Sequence, residues 1–244
     1  MKTIIKISIC SLLITATIQA QSWKNSERIK GNGNEIIEKR TTSSYDDIKI
    51  MGAYDIELFA GTEGQITITA EENLMQFIKI EVDNNVLKIY TEKNKNLNSS
   101  SGKNLKIAIP FETLSGVTLT GSGEIITKNK IKSSQFALNL TGSGNLKLDI
   151  EADEIDTNLS GSGNITLDGK TNNLNNTISG SGGINTYNLD TKNADVTISG
   201  SGDIKVFCSE SLKARVSGSG DIFYKGEPKI KDTKVSGSGK ISKS

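Results

Sequence analysis

The most regularly spaced functional side chains in this sequence are serines, each placed between two glycines. The tetrapeptide Ser/Thr-Gly-Ser-Gly occurs seven times, and its central serines are Ser122, Ser143, Ser162, Ser181, Ser201, Ser219 and Ser238. Hydroxyls that both donate and accept hydrogen bonds at matching positions form a possible binding ladder for a repetitive ligand such as a sugar polymer. A serine between glycines is also a residue that a tight corner accepts, so a purely structural role stays open.

Catalytic groupings are scarce. The chain has no histidine, which excludes Ser-His-Asp triads, Cys-His dyads and histidine metal sites. Asp153, Glu154 and Asp156 lie close together in the sequence, and glycoside hydrolases use pairs of carboxylates. The same residues between two strands are typical of a solvated loop. We therefore expect no enzyme, with a polysaccharide lyase or hydrolase as the weakest alternative.

The position directly after each corner carries mostly oxygen-bearing side chains. This column contains Glu124, Asn145, Asn164, Gly183, Asp203, Asp221 and Lys240. A calcium ladder needs converging oxygens at nearly every level, and here a glycine and a lysine interrupt it. The pattern favours Asp and Asn side chains that cap the amides of their own turns. Each Gly-Ser-Gly precedes a strand and lacks a following Lys-Ser/Thr pair, so a nucleotide site is excluded and we expect no metal and no cofactor.

The first twenty residues have the layout of a secretory signal peptide, with Lys2 and Lys6 before an apolar stretch and Ala20 at the cleavage point. We predict export to the periplasm, the cell surface or the medium. No later segment approaches about eighteen apolar residues, so no membrane span is expected in the mature chain. Removal of the peptide also removes Cys10. Cys208 then stands alone, and its inward parity indicates a buried apolar role.

The charge balance is close to neutral. The chain has 29 basic and 28 acidic side chains, and removal of Lys2 and Lys6 leaves 27 against 28, a net charge of −1. Nucleic-acid binding depends on a strong basic excess, so a nucleic-acid partner is not expected. Abundant Gly, Ser, Thr and Asn with evenly spread Ile, Leu and Val favour many short strands joined by tight turns.

The repeat predicts an all-β solenoid. Its corner glycines are Gly121, Gly123, Gly142, Gly144, Gly161, Gly163, Gly180, Gly182, Gly200, Gly202, Gly218, Gly220, Gly237 and Gly239. The first glycines of successive corners are 21, 19, 19, 20, 18 and 19 residues apart, which suits one coil per repeat. Apolar residues keep one parity through a corner, as from Val196 and Ile198 to Ile204 and Val206. The glycines are therefore interpreted as corners between two sheets whose coils stack in register about 4.8 Å apart.

The chain divides into four segments. We predict a signal peptide at residues 1–20, a charged lead-in at 21–44, an irregular N-terminal β part at 45–119 and the Gly-Ser-Gly β-solenoid at 120–244. The β part keeps the two-residue period of strands without the repeat motif. Residues 45–244 are expected to form one domain.

These residues resemble the head GIN domain family, which carries the label "putative auto-transporter adhesin". The resemblance rests on the Gly-Ser-Gly corners, the triplet Gly183-Ile184-Asn185, the segment 47–58 and Ile107-Ala108-Ile109-Pro110 before the first corner. It covers roughly residues 40–244. It implies a two-sheet, pectin-lyase-like β-superhelix with Gly-Ser-Gly turns between the sheets. For function it implies cell adhesion or contact with surface glycans.

The sequence thus supports two main hypotheses. The first is an exported adhesin or glycan-binding module, for which Trp23, Tyr187, Phe223 and Tyr224 are candidate sugar-stacking aromatics, with Tyr224 on the inward parity. The second is a structural envelope protein that self-associates through exposed strand edges. Lys231, Lys234, Lys240 and Lys243 near the last corner are charges that discourage such stacking, and an end-to-end dimer is expected if they fail.

Overall fold

The computed structural model describes residues 26–244, which form twenty β-strands and one short helix. The elements before the repeat are β1 Glu27–Lys30, β2 Glu35–Thr41, β3 Asp47–Gly52, β4 Asp55–Ala60, β5 Gln65–Glu71, α1 Glu72–Met75, β6 Ile78–Asp83, β7 Val86–Thr91, β8 Lys95–Asn98 and β9 Lys106–Phe111. The elements of the repeat are β10 Gly116–Gly121, β11 Glu124–Thr127, β12 Ile131–Gly142, β13 Asn145–Gly161, β14 Asn164–Gly180, β15 Gly183–Gly200, β16 Asp203–Phe207, β17 Ser211–Gly218, β18 Ile222–Lys225, β19 Ile230–Gly237 and β20 Ile241–Lys243. The predicted signal peptide lies outside the described residues.

The repeat forms a β-solenoid in which each coil pairs in parallel with the next. Leu140 of β12 is the register partner of Leu159 of β13, which is in turn the partner of Ile178 of β14. The same register runs through the corners, where Gly142 pairs with Gly161. The predicted solenoid with in-register coils is confirmed. Equivalent residues of successive coils therefore form straight columns on the surface and in the core.

The corners depend on their first glycines. Gly142, Gly161 and Gly180 have φ between +126° and +136°, a region that side chains rarely allow. The carbonyl oxygen of Gly142 accepts the backbone N–H of both Ser162 (2.9 Å) and Gly163 (3.1 Å) of the next coil. Each corner is thus hydrogen-bonded to its neighbour through the backbone alone, which leaves the serine side chain free to point outward.

The core is a set of aliphatic columns inside the coils. Inward positions alternate with outward ones through each corner, as the sequence predicted. In the coil of β13 the parity changes once, between the buried residues Ala152 and Ile155, which are three positions apart. This change marks a second bend away from the Gly-Ser-Gly corner. Each buried aliphatic side chain contributes about 1.5–3 kcal/mol relative to exposure.

An eighth corner precedes the seven of the repeat. Gly52 pairs with Gly121, has φ +143°, and begins the segment Gly52-Ala53-Tyr54. Tyr54 takes the place of the second glycine. Its ring packs over Gly52 and its hydroxyl lies 2.6 Å from Oγ1 of Thr91. A tyrosine fits here because the ring occupies the side of the corner column that faces away from the repeat.

The chain does not build its coils in sequence order. β3 pairs in parallel with β10 on one side and with β7 on the other, and β4 likewise lies between β11 and β9. The strands β7 and β9 follow β3 and β4 in the sequence but form a coil outside them. The chain then crosses back, and β10 continues the stack in the opposite direction.

Antiparallel strands cover the N-terminal end of the stack. β2 pairs with β5, β5 pairs with β9, and β6 pairs with β7, all antiparallel. The segment predicted as a charged lead-in therefore contains two strands, since β2 joins this end and β1 pairs in parallel with β8. These two strands were not predicted, because β1 and β2 contain several charged residues and few apolar ones.

The other end of the stack is formed by β19 and β20. β19 pairs only with β17 among the described strands, and every residue of β19 is exposed. The inward positions of β19 include a charged residue, because Lys231 is the register partner of the buried Leu212. Inward-pointing charge is a recognised way to keep a sheet edge from pairing with another chain.

Candidate functional site: the hydroxyl face

Three outward columns of side chains run beside the corners across five successive coils. One column lies three residues before the first glycine of each corner. The second lies directly before that glycine, and the third lies directly after it. The fifteen residues, three columns of five, are Thr118, Asn139, Asn158, Thr177, Thr197; Thr120, Thr141, Ser160, Ser179, Ser199; and Ser122, Ser143, Ser162, Ser181, Ser201. We call this surface the hydroxyl face. None of its residues carries a charge.

The hydroxyls of this face are available to a ligand. Both serine-rich columns are exposed throughout. Within residues 26–244, the hydroxyls that do bond to protein groups all lie elsewhere, on Tyr45, Tyr54, Thr91, Ser100, Ser115, Thr127, Ser133, Thr171, Thr186, Tyr187, Thr191, Ser209, Ser211 and Ser244. The stacked backbone fixes the spacing of the free hydroxyls at about 4.8 Å along each column.

The amides of the face are held in place. Nδ2 of Asn158 donates to Oδ1 of Asn139 on the preceding coil at 3.2 Å. Within these three columns, charged residues appear only beyond the five coils, at Lys49 on one side and Arg215 on the other. The face is therefore a neutral, rigid array of donors and acceptors.

The column after the corners bonds between coils and not within its own turns, so the predicted capping is wrong. Nδ2 of Asn164 donates to Oδ1 of Asn145 at 3.1 Å. Oδ1 of Asp203 accepts the backbone N–H of Asp221 at 3.0 Å, and Asp221 does the same for Lys240 at 2.9 Å. In a parallel stack the next coil is only about 4.8 Å away, within reach of these short side chains.

The three carboxylates near the second bend belong to similar ladders. Asp153 accepts a hydrogen bond from Asn172 at 2.9 Å, and Asp156 accepts one from Asn175 at 2.7 Å. Glu154 accepts one from Gln135 at 3.3 Å. Each carboxylate is engaged by a different side chain of an adjacent coil, which is the pattern of ladder contacts along the stack.

The aromatic candidates within residues 26–244, which are Tyr187, Phe223 and Tyr224, lie off the hydroxyl face. The Lys225 ammonium stands 4.2 Å from the Tyr187 ring centroid, and the Tyr187 hydroxyl lies 2.7 Å from Oγ of Ser244. Phe223 is covered in part by Lys240, at 5.3 Å. Tyr224 packs against the core, in line with its parity. Trp23 lies outside the described residues.

Cys208 is free and fully buried at the end of an inward column. Burial raises the pKa of its thiol to about 11, which disfavours the reactive thiolate. Across residues 26–244, no cluster of three or more Asp, Glu, Cys or His side chains is placed to hold a metal ion. In the same part of the chain, no helix has the length and apolarity to cross a bilayer.

Residues 44–228 match the family model described as "Putative auto-transporter adhesin, head GIN domain". The chain belongs to the head GIN domain family. The match begins just before β3 and ends before β19, so it contains the Gly52 corner and all five coils of the hydroxyl face.

Solved structures of similar proteins share the fold of this head GIN domain. A "putative adhesin" from Bacteroides fragilis is 25% identical, with a TM-score of 0.83 and coverage of 88% of this chain and 100% of that one. A "putative lipid binding protein" from Parabacteroides distasonis is 30% identical, with a TM-score of 0.74 and coverage of 89% and 100%. A "putative adhesin" from Parabacteroides merdae is 25% identical, with a TM-score of 0.75 and coverage of 89% and 99%. No curated protein matches the chain in sequence.

Proposed function

We propose that this head GIN domain is an exported, non-enzymatic adhesion module whose hydroxyl face binds a neutral glycan. The observation that carries the proposal is the array itself: three columns across five coils contain only Ser, Thr and Asn. Sugars present dense hydroxyl groups, and hydroxyl and amide side chains can both donate to them and accept from them. A face without charge offers no electrostatic attraction to anionic polymers, which favours uncharged saccharides.

Rigidity supports binding by such a surface. The hydroxyls are mounted on paired parallel strands, so little backbone ordering accompanies binding. Each contact is weak, because a hydrogen bond exchanged with water contributes only about 0.5–1.5 kcal/mol. A regular array compensates by meeting several units of a polymer at once. Adhesion to a repetitive surface polysaccharide is the function that suits this geometry.

The test is binding of the purified protein to an array of neutral and acidic glycans, with envelope lipids as a separate arm. Loss of neutral-glycan binding is expected in the variant Ser162→Ala/Ser181→Ala/Ser201→Ala. The matched control is Ser101→Ala/Ser134→Ala, which removes exposed serines outside the face. Binding of lipid with no glycan bound, as the description of the Parabacteroides distasonis relative would suggest, would overturn the proposal.

A second candidate function is self-association at the β19 end of the stack. One edge of β19 is free of partners among the described strands, and Ile230 on it is 68% exposed. We propose that Lys231 and Lys234 weaken this self-association, so Lys231→Leu/Lys234→Thr is expected to form dimers at lower protein concentration than the wild type in sedimentation. A wild-type protein that already assembles at micromolar concentration would favour the structural role over the adhesion module.

A further inference from the structure

The column after the corners has a gap at Gly183. Gly183 is the register partner of Asn164 on one side and of Asp203 on the other. Glycine contributes no side chain at this level, where the surface has a notch of about 380 Å³ lined by Asn164, Thr166, Gly183, Asn185, Asp203 and Lys205 together with Ile165 and Ile184. Its volume falls within the usual range of about 300–1,000 Å³ for small-molecule sites.

The gap interrupts a hydrogen-bond ladder and leaves its groups without partners. Nδ2 of Asn164 donates a hydrogen bond to Asn145, so Oδ1 of Asn164 is the atom that would accept a hydrogen bond from the next side chain of the column. That next side chain is absent, and a Cβ built on Gly183 would lie 3.1 Å from this Oδ1. On the far side, Asp203 uses Oδ1 for the N–H of Asp221, which leaves Oδ2. Asn164 and Asp203, on the coils on either side of Gly183, therefore each keep one acceptor atom without a hydrogen-bond partner in the described chain.

The chemistry of the notch selects a neutral, hydroxyl-bearing ligand. A carbonyl oxygen and a carboxylate both accept hydrogen bonds, so the ligand must donate. Asp203 disfavours an anion. A calcium ion needs six to eight oxygen ligands, whereas the notch is lined by one acidic residue, Asp203, and by the basic Lys205. Hydroxyl groups of a sugar ring meet these requirements, because each can donate to one acceptor and accept from Lys205 or Asn185.

We propose that the Gly183 notch is the site where one sugar unit of the bound glycan inserts between coils. This inference rests on the proposed glycan-binding function and adds the position that recognises an individual sugar. The notch lies two residues beyond Ser181 of the hydroxyl face, so a polymer lying across the face can reach it with one ring. The array would then supply general affinity, and the notch would select the sugar.

The decisive variant is Gly183→Asn, which continues the ladder of Asn145 and Asn164. The new Cβ would lie 3.1 Å from Oδ1 of Asn164, so this exposed side chain must shift by a few tenths of an ångström, and the next atom, a backbone oxygen of Asp203, is 3.9 Å away. Gly183 does not have a positive φ, so the backbone accepts an asparagine. We expect normal folding and binding to the glycan array at least about tenfold weaker, the loss of about 1.4 kcal/mol of contacts. Ser101→Asn is the matched control, since it places the same side chain at an exposed loop position without a positive φ, outside both the hydroxyl face and the notch.

A second variant guards against a folding defect. Asn164→Ala removes the free acceptor from an exposed position without filling the notch, and we expect it also to weaken binding of the same glycan. Wild-type affinity in a folded Gly183→Asn protein would overturn the notch while leaving the hydroxyl face in place. Binding that is lost in the triple serine variant but kept in both notch variants would lead to the same conclusion. Absence of glycan binding by the wild type would overturn both proposals.

Discussion

The carbonyl oxygen of Gly142 faces Gly161 of the next coil so closely that a Cβ on Gly161 would approach it to under 3.0 Å. The same relationship joins Gly161 to Gly180 and Gly180 to Gly200. These contacts are between backbones, which cannot shift as a side chain can. The corner column is therefore the part of the fold with the least tolerance for substitution.

Gly161→Ala should destabilise the protein strongly. The alanine would combine a φ of +129° with a clash against the backbone of the adjacent coil, and we expect a loss of about 3 kcal/mol or more in the free energy of unfolding. Urea unfolding followed by circular dichroism measures it. Ser162→Ala, one residue away and exposed, should change stability by less than about 0.5 kcal/mol. Equal effects of the two substitutions would contradict the role assigned to the corner glycine.

Asn176→Val should stabilise the solenoid. Asn176 is buried in an inward column between Thr157 and Val196, and neither atom of its amide has a hydrogen-bond partner within the described chain. An unpaired buried amide costs about 1–3 kcal/mol, which valine removes. The melting temperature should rise, while Asn175→Val, which removes an exposed-side ladder contact to Asp156, should not raise it. A lower melting temperature for Asn176→Val would contradict the destabilising role of this amide.

Glu71 should make the N-terminal end sensitive to acid. Its carboxylate is 1% exposed and accepts hydrogen bonds from N–H of Gly33 (2.5 Å), Oγ of Ser100 (2.5 Å) and N–H of Ser100 (2.9 Å). Burial opposes ionisation, but the hydrogen bonds from Ser100 and Gly33, together with the charge of Lys103, outweigh it and lower the pKa below its usual value. The ionised carboxylate therefore ties the segment before β2 to the segment before β9.

The sign of the pH dependence follows from the lowered pKa. The stabilisation is complete above the ordinary glutamate pKa of about 4.3 and is lost as the pH falls through the lower pKa of the folded state. At pH 7, Glu71→Gln should reduce protection of residues 26–34 from hydrogen exchange, and the difference from wild type should shrink below about pH 4. Glu112→Gln is the control, since Glu112 is exposed and its side chain forms no hydrogen bond to residues 26–34. A difference that grows on acidification would disprove this assignment.

Cys208 should be unreactive in the folded protein. Its thiol is buried and its pKa is raised to about 11, so at pH 8 a thiol reagent such as 5,5′-dithiobis-(2-nitrobenzoate) should label it at least about a hundredfold more slowly than in the protein unfolded in urea. Because Cys208 packs near the β19 end of the stack, its labelling rate also reports opening of the last coils. Rapid labelling of the native protein would mean that these coils open on their own.

Most of the repeat could be predicted from the sequence. The spacing of Gly121, Gly142 and their counterparts fixes one coil per motif, and the parity carried from Ile198 to Ile204 fixes which side chains face inward. Both are local properties, because a strand alternates its faces and a corner of this geometry needs glycine. The exposed serine columns follow from the same two facts.

The arrangement of the strands before the repeat could not be predicted from the sequence. Tyr54 replaces a glycine, so the corner at Gly52 does not match the motif, and its identity depends on pairing with Gly121 across 69 residues. The order of the coils is likewise set by long-range pairing, since β10 returns to β3 after β7 and β9 have been built on its other side. No local sequence pattern indicates that the chain returns to an earlier strand in this way.

The sequence by itself determined a stacked β-solenoid with glycine corners and an uncharged row of outward hydroxyls, because periodicity and glycine requirements act over a few residues. Only the tertiary structure decided how neighbouring coils use their polar side chains. It showed that Asn164 bonds to Asn145 and that Gly183 leaves the next place in that ladder empty. The reason is physical: a side chain finds its partner on the adjacent coil, about nineteen residues away in sequence but about 4.8 Å away in space.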